Sequence, residues 1–181
     1  MTVKTIDEML ADVIKLEGGF VDRAEDKGGP TKYGITIPAL SAYRERYGNA
    51  GFVDTQDIIE LSPVVASAIY KQDYYLTPKL DLLPAMLQPV VFDMSVNMGP
   101  KTAIKLLQSV VHKLATPLIF DGIIGPQTLQ SAKTACNVCG DLVLNKICAA
   151  RITFYRSLVT RDASQAVFLK GWTHRAESFL A

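Results

Sequence analysis

The sequence has few of the residues from which metal and redox sites are built. Its 181 residues include only three cysteines and two histidines. An odd, small number of cysteines is not a disulfide framework. Cys136 and Cys139 form a CxxC pair, but no second CxxC and no pair of histidines completes a metal site. Together with Cys148 they are expected to be plain thiols, and no metal or organic cofactor is predicted.

Long apolar runs and an excess of charge of one sign are also absent. No segment reaches the roughly 18 uninterrupted apolar residues of a membrane span, so no stable membrane insertion is expected. The formal net charge is +1, which gives no basis for nucleic-acid binding. Residues 1–16 mix charged and apolar side chains as an amphipathic helix does, and do not resemble a signal peptide. Synthesis in the cytoplasm is therefore expected.

Apolar residues repeat at helical spacing along much of the chain. Hydrophobic residues make up 49% of the chain and charged residues 20%, enough for a sizeable core. The first helix is expected to begin after Thr5 or Asp7 and to end at Gly18-Gly19. An ordered loop or small β-hairpin element is predicted near residues 20–36. Further helices are predicted at 38–47, 62–75, 84–98, 101–115, 126–135, 139–159 and 163–180, which indicates a mainly α fold.

Glu17 is the first candidate for chemistry. It continues the apolar face of the first helix, where burial disfavours a charged carboxylate. It also lies in the last helical turn, where the helix dipole opposes negative charge. Both effects favour a protonated acid of the kind that glycosidases use on a leaving oxygen. The alternative is a glutamate that turns outward at a frayed helix end.

A second carboxylate follows in a glycine-rich loop. Asp26 lies in polar surroundings that favour its ionised form, so that it and Glu17 would form an acid and base pair. Asp22 and Glu25 compete for the same role. Thr31 carries a hydroxyl that would position a water or bind sugar, or would simply be part of a turn.

These residues carry a resemblance to a known family. Glu17-Gly-Gly-Phe20, Asp26-x-Gly-Gly-x-Thr31 and Gly34-Ile-Thr36 resemble the signature of glycoside hydrolase family 108, the N-acetylmuramidases of phage endolysins and bacteria. The resemblance implies that Glu17 is the catalytic residue. The spacing is also similar to that of T4-type phage lysozymes, which implies that Asp26 is the base and that Thr31 helps to hold the water.

The second half of the chain is similar to the peptidoglycan-binding region of the same family. The matching motifs are Phe92-Asp-x-Ser-Val-Asn97-x-Gly99-Pro, Asp121-Gly-x-Ile-Gly125-Pro-x-Thr128 and Phe168-Leu-x-Gly-Trp172-x-x-Arg175. The resemblance implies a lysozyme-like fold with a catalytic region at 1–92 and a peptidoglycan-binding-like region at 93–181, packed as one compact unit.

Several further residues are candidates for sugar binding. Tyr33 and Thr36 lie beside the motif, and the tyrosines at 70, 74 and 75 carry rings able to stack on sugars. Asp93 and Asn97 are one helical turn apart and would face the same way. They would either line the polar edge of a glycan cleft or tie helices together, and the second interpretation is slightly favoured.

The resulting hypothesis is an endolysin-like muramidase that cleaves the β-1,4 bond between N-acetylmuramic acid and N-acetylglucosamine. Its partner would be the glycan strands of peptidoglycan, and it would act as a monomer at the cell wall after release by a holin-like partner. Two alternatives stay open: a lytic transglycosylase, and a non-catalytic cell-wall-binding or secretion accessory protein.

Overall fold

The chain folds into two compact units, Met1–Thr77 and Pro78–Ala181. The computed structural model describes residues 4–22 and 29–181. In these residues nine α-helices accompany one small three-stranded antiparallel sheet. The predicted mainly α fold with a hairpin element near residues 20–36 is confirmed. No helix in the described part of the chain is long and apolar enough to cross a membrane.

The first unit combines the sheet with four short helices. The helices are α1 (Ile6–Glu17), α2 (Ile37–Arg46), α3 (Thr55–Glu60) and α4 (Pro63–Ile69). The strands are β1 (Phe20–Val21), β2 (Thr31–Lys32) and β3 (Ile35–Thr36), paired in that order. Phe20 lies opposite Lys32, and Thr31 lies opposite Thr36. Helix α3 was not predicted from the sequence.

Helix α1 is fixed at both ends. Of the two predicted N-caps, Thr5 is the one used: its hydroxyl accepts from the Glu8 amide, and the Glu8 carboxylate accepts in return from the Thr5 amide. This capping box satisfies two amides that the helix itself leaves unpaired. Gly18 ends the helix in a conformation with φ of 74°. One face of α1 is buried, through Met9, Leu10 and Val13. The helix is therefore fixed in position along its length, up to Glu17.

The predicted helix at 62–75 changes form along its length. Ser62 caps its start and Pro63 occupies the first position, as predicted. From Tyr70 to Leu76 the chain forms a π-helix. The Thr77 amide donates to the Gln72 carbonyl, five residues earlier. π-Helical turns are rare in proteins, and those that occur are often found at functional sites.

The second unit is built from helices. Two 3₁₀ turns, Leu80–Leu82 and Ala85–Leu87, precede α5 (Gln88–Met98), α6 (Pro100–Leu114), α7 (Pro126–Cys139) and α8 (Leu142–Arg161). A further 3₁₀ turn, Ala163–Gln165, leads into α9 (Ala166–Glu177). Helix α6 packs against α5, α7 and α8, and α8 packs against α9.

A buried polar cluster joins α5, α8 and α9 in this unit. Asp93 accepts a hydrogen bond of 2.9 Å from Arg175 Nε, and its other oxygen lies 2.6 Å from Arg151 Nη2. Arg151 is completely buried and donates from Nε to the Tyr155 hydroxyl, which donates in turn to Asn97. Removing one member of such a buried charge cluster leaves the others uncompensated, so the cluster determines how these three helices pack.

A second buried polar centre shapes the turn before α7. Gln108 is 1% exposed. Its side-chain nitrogen donates to the Asp121 carboxylate and the Ile123 carbonyl, and its oxygen accepts from the Gly122 amide. The motif that begins at Asp121 is therefore a turn that a single buried amide holds together.

Replacing Gln108 by leucine is expected to destabilise the protein by about 2 kcal/mol, since it leaves the buried Gly122 amide without the side-chain oxygen that it binds. Urea unfolding followed by circular dichroism measures this. Gln130→Leu is the matched control, because Gln130 is exposed and its side chain bonds Thr134 at the surface of α7. Equal stability of the two variants would contradict the role given to Gln108.

Candidate active site

Glu17 is the last residue of α1, and its side chain is half-buried against the β2–β3 hairpin. Its Oε2 and Cγ lie 3.0 Å and 3.3 Å from the point where a side chain at Gly34 would place its first carbon. The Tyr70 hydroxyl oxygen lies 2.5 Å from the same point. A carboxylate and a phenol therefore fill the space that a side chain at Gly34 would need.

The turn that approaches Glu17 has an unusual backbone. Tyr33 and Gly34 join β2 to β3 with φ of 52° and 72°, which is the pattern of a two-residue type I′ hairpin turn. A positive φ is uncommon for a tyrosine. The Tyr33 amide donates to the Gly18 carbonyl at 3.1 Å, and the Tyr33 carbonyl accepts from the Tyr70 hydroxyl at 2.8 Å. The end of α1 and the π-helical segment thus hold the turn from two sides.

Tyr74 is the second tyrosine of the π-helical segment near Glu17. Its ring centroid lies 5.2 Å from that of Tyr70. Burial raises the pKa of the Tyr74 hydroxyl above its ordinary value, and the negative charges of Asp73 and Glu17 raise it further. Tyr74 therefore keeps its proton through the physiological range. The surroundings of Glu17 are polar but carry no ionised phenol.

The other predicted site residues of the first half lie on the same hairpin. Thr31 and Thr36 face each other across β2 and β3, and both are half-buried. The Thr36 oxygen accepts from the Ala39 amide at 3.4 Å, so this residue also caps α2. The Tyr33 ring lies 5.6 Å from Lys32 Nζ. The structure brings Thr31, Tyr33 and Thr36 together beside Gly34, which Glu17 contacts.

Three residues are candidates for the second carboxylate of the site. Asp26 and its rival Glu25 lie outside the described residues. Asp22, the other rival, directly follows β1 and is exposed. The choice among these three carboxylates stays a prediction.

Asp93 and Asn97 belong to the polar cluster of the second unit. Asp93 is 6% exposed and is bound to two arginines, and Asn97 accepts from Tyr155 at 2.6 Å. These contacts favour the interpretation that the pair ties helices together.

From the sequence, Tyr70 and Tyr74 are predicted only as rings on which a sugar would stack, and their position next to Glu17 is not predicted. Their spacing of four residues was a usable signal, because such residues share one face of a helix. Their proximity to Glu17 depends on tertiary structure, which no local pattern shows.

The cysteines lie in the second unit as free thiols. Cys136 and Cys139 are half-buried and Cys148 is buried. Burial, aided by the neighbouring Cys139, raises the pKa of the Cys136 thiol to about 11. Within residues 4–22 and 29–181 no group of three or more histidine, cysteine, aspartate or glutamate side chains is arranged to hold a metal ion.

Comparisons with known proteins identify the family of the chain. Two family models match the chain: Glycosyl hydrolase 108 over residues 10–99, and Predicted Peptidoglycan domain over residues 97–177. The chain therefore belongs to the glycosyl hydrolase 108 family. It is a glycoside hydrolase, and the second match makes peptidoglycan its partner.

Among solved structures, the chain is similar to SagA of Brucella abortus. The two are 32% identical with a TM-score of 0.77, and the match covers 96% of this chain and 90% of that one. The predicted lysozyme-like fold is confirmed. No curated protein matches the chain.

Gly34→Ala is expected to lower activity on peptidoglycan by at least about 100-fold, because the new methyl group would displace Glu17 and Tyr70, and small errors in catalytic geometry are that costly. Release of soluble muropeptides from sacculi measures it. Gly48→Ala is the matched control: Gly48 has a similar φ of 77° but no atom within 4 Å of the added carbon. It should lose a little stability and keep its activity. Comparable activity losses in both variants would implicate backbone strain alone.

The Cys136 thiol is expected to react slowly with iodoacetamide near neutral pH, since only the thiolate attacks. Its rate should rise about tenfold per pH unit until the pH approaches the pKa of about 11. The measurement uses the double variant Cys139→Ser, Cys148→Ser, in which Cys136 is the one remaining thiol. A rate that levels off near the ordinary thiol pKa of about 8.5 would contradict the burial of this sulfur.

Proposed function

We propose that this chain is an N-acetylmuramidase that hydrolyses the β-1,4 bond between N-acetylmuramic acid and N-acetylglucosamine, with Glu17 as the general acid. The observation that supports this is the position of the Glu17 carboxylate against Gly34 and Tyr70, with Tyr74 nearby. A glycosidase acid must deliver one proton to the leaving oxygen. A half-buried carboxyl that phenols and backbone surround suits that task better than one fully in water.

The second step needs a carboxylate that stays ionised. We assign it to Asp26, with Asp22 and Glu25 as the alternatives. It would activate the attacking water or stabilise the oxocarbenium-like transition state, and Thr31 would help to hold the water. The separation of the two carboxyls decides the stereochemistry: about 5–5.5 Å gives retention and about 6.5–9.5 Å gives inversion.

Two carboxyl groups and a water complete this reaction, so no cofactor is proposed. Tyr33 and Thr36 lie on the hairpin beside Glu17 and are proposed to contact the sugar. We propose an endolysin-like role in which the protein acts as a monomer at the cell wall, after release by a holin-like partner.

Glu17→Gln tests the proposed acid. The amide keeps the shape of the side chain but has no acidic proton to give, so hydrolysis should fall by about 100- to 10,000-fold while the thermal stability changes little. Mass spectrometry of digested sacculi reads both the rate and the bond cleaved. Products with reducing N-acetylmuramic acid ends are expected from the wild-type protein.

Glu45→Gln is the control, because Glu45 is an exposed glutamate of α2 in the same unit. It should keep full activity. Wild-type activity in Glu17→Gln would overturn the assignment of the acid. Anhydro-muramic acid ends would show a lytic transglycosylase, and binding to sacculi without any released product would show a cell-wall-binding accessory protein.

A further inference from the structure

Helices α6 and α8 of the second unit border an open hollow of about 330 Å³. The residues that line it from α6 share one face of that helix, and they are Ser109, Val110, Lys113 and Leu114. Val110 is buried at its base. The hollow falls within residues 97–177, the part of the chain that matches the peptidoglycan domain. It is therefore a feature of the unit that accounts for the partner of this protein.

The side of the hollow that α8 forms is made of short side chains between two polar ones. Lys146, Ala149, Ala150 and Thr153 line it, at the spacing of one helical face. Because the alanines end at their first side-chain carbon, they leave open the space that the hollow occupies. The result is an apolar floor, made by Val110 and the two alanines, with polar groups around it.

The charged groups of the hollow are of one sign. Lys113 lies on α6 and Lys146 on α8, and no aspartate or glutamate is among the described residues that line it. The net charge of the whole chain is only +1, so this positive lining is local and does not reflect a general basic excess. Ammonium groups on two walls favour a ligand that carries more than one anionic group.

The hydroxyls of the hollow are hydrogen-bond acceptors. Ser109 donates to the Leu106 carbonyl at 2.8 Å, and Thr153 donates to the Ala149 carbonyl at 2.9 Å. A hydroxyl has one proton, so both oxygens meet a ligand with their lone pairs and suit the N–H groups of a peptide. No aromatic side chain is among the described residues of the lining, so a sugar ring finds no face on which to stack.

We infer that this hollow binds the stem peptide of peptidoglycan through the carboxylates of that peptide. A stem peptide carries free carboxylates, amide N–H groups and alanine methyl groups on one short chain. These groups match the two ammonium groups, the hydroxyl oxygens and the apolar floor. A wall polymer charged only by phosphate would use the lysines alone. The site is a second contact with peptidoglycan, and it does not depend on the role proposed for Glu17.

The test is an NMR titration of the nitrogen-labelled full chain with the N-acetylated tetrapeptide L-Ala-γ-D-Glu-meso-diaminopimelate-D-Ala. Amide resonances of residues 109–114 and 146–153 should shift. In the double variant Lys113→Gln, Lys146→Gln the Kd should rise about fivefold or more, because each exposed ion pair contributes modestly and two are lost. Lys133→Gln is the matched control, since Lys133 is an exposed lysine of α7 outside the hollow. It should keep the wild-type Kd.

A second ligand tests the same site without any variant. The tetrapeptide with its carboxylates amidated should bind the wild-type protein about fivefold more weakly or worse at low salt. Added salt should reduce this difference, because it screens exposed charges. The disaccharide of N-acetylglucosamine and N-acetylmuramic acid without a peptide should leave the resonances of the hollow unchanged.

Equal affinity for the free and the amidated peptide would overturn the inference, and so would an unchanged Kd in the double variant or shifts confined to other parts of the chain. Inorganic phosphate that displaces the peptide with similar affinity would show a general anion site, and a disaccharide that shifts the same resonances would show a glycan site. Either result also rejects the inference. All these titrations measure binding, so they remain decisive if Glu17→Gln keeps wild-type activity and the proposed function fails.

Discussion

The geometry of the candidate active site depends on residue 34 being a glycine, which has no side chain. Helix α1 delivers Glu17 to a point where the hairpin turn comes so near that an added carbon would lie 2.5 Å from the Tyr70 oxygen. Hydrogen bonds from Tyr33 to Gly18 and from Tyr70 to Tyr33 keep the turn there. Three segments that are far apart in sequence are therefore locked at one place, and the orientation of the carboxyl is a consequence of that closeness.

Two carboxyl groups of this protein lie in opposite environments. Glu17 lies beside the Gly34 turn and the Tyr70 hydroxyl in the first unit. Asp93 is held by Arg151 and Arg175 in the second unit, and such a carboxylate is an anion that stabilises a helix arrangement. Asp93 is thus engaged in holding helices together, whereas Glu17 lies at the hairpin turn beside Thr31, Tyr33 and Thr36. This difference in position is a reason to seek the catalytic acid at Glu17.

The features that the sequence predicted well are local ones. Thr5 and Ser62-Pro63 mark helix starts by hydrogen bonds within three residues, and the glycines after Glu17 mark a helix end. Helix α3 was not predicted, because its six residues show little periodicity. Asp54 nevertheless begins it with a capping box. The π-helical form of Tyr70–Leu76 and the hydrogen bond from Tyr70 to Tyr33 depend on partners from other segments. For the same reason the spacing of Asp93 and Asn97 gave their common face but not the arginine partners that bury Asp93.

The tyrosine in the hairpin turn shows how stability and site geometry are linked. A type I′ turn favours asparagine or glycine at its first position, and Tyr33 adopts a φ of 52° there. Backbone strain of this kind persists where the surrounding structure over-determines it, and it is concentrated at functional sites. At this turn the strain is offset by two hydrogen bonds on the Tyr33 backbone. One of them comes from the Tyr70 hydroxyl, which lies with the Glu17 carboxyl around the open position at Gly34, so the strained turn and the placement of Glu17 are parts of one arrangement. An unstrained turn would shift Gly34 and the Tyr33 carbonyl, and the Glu17 and Tyr70 side chains would then lose the backbone against which both are packed.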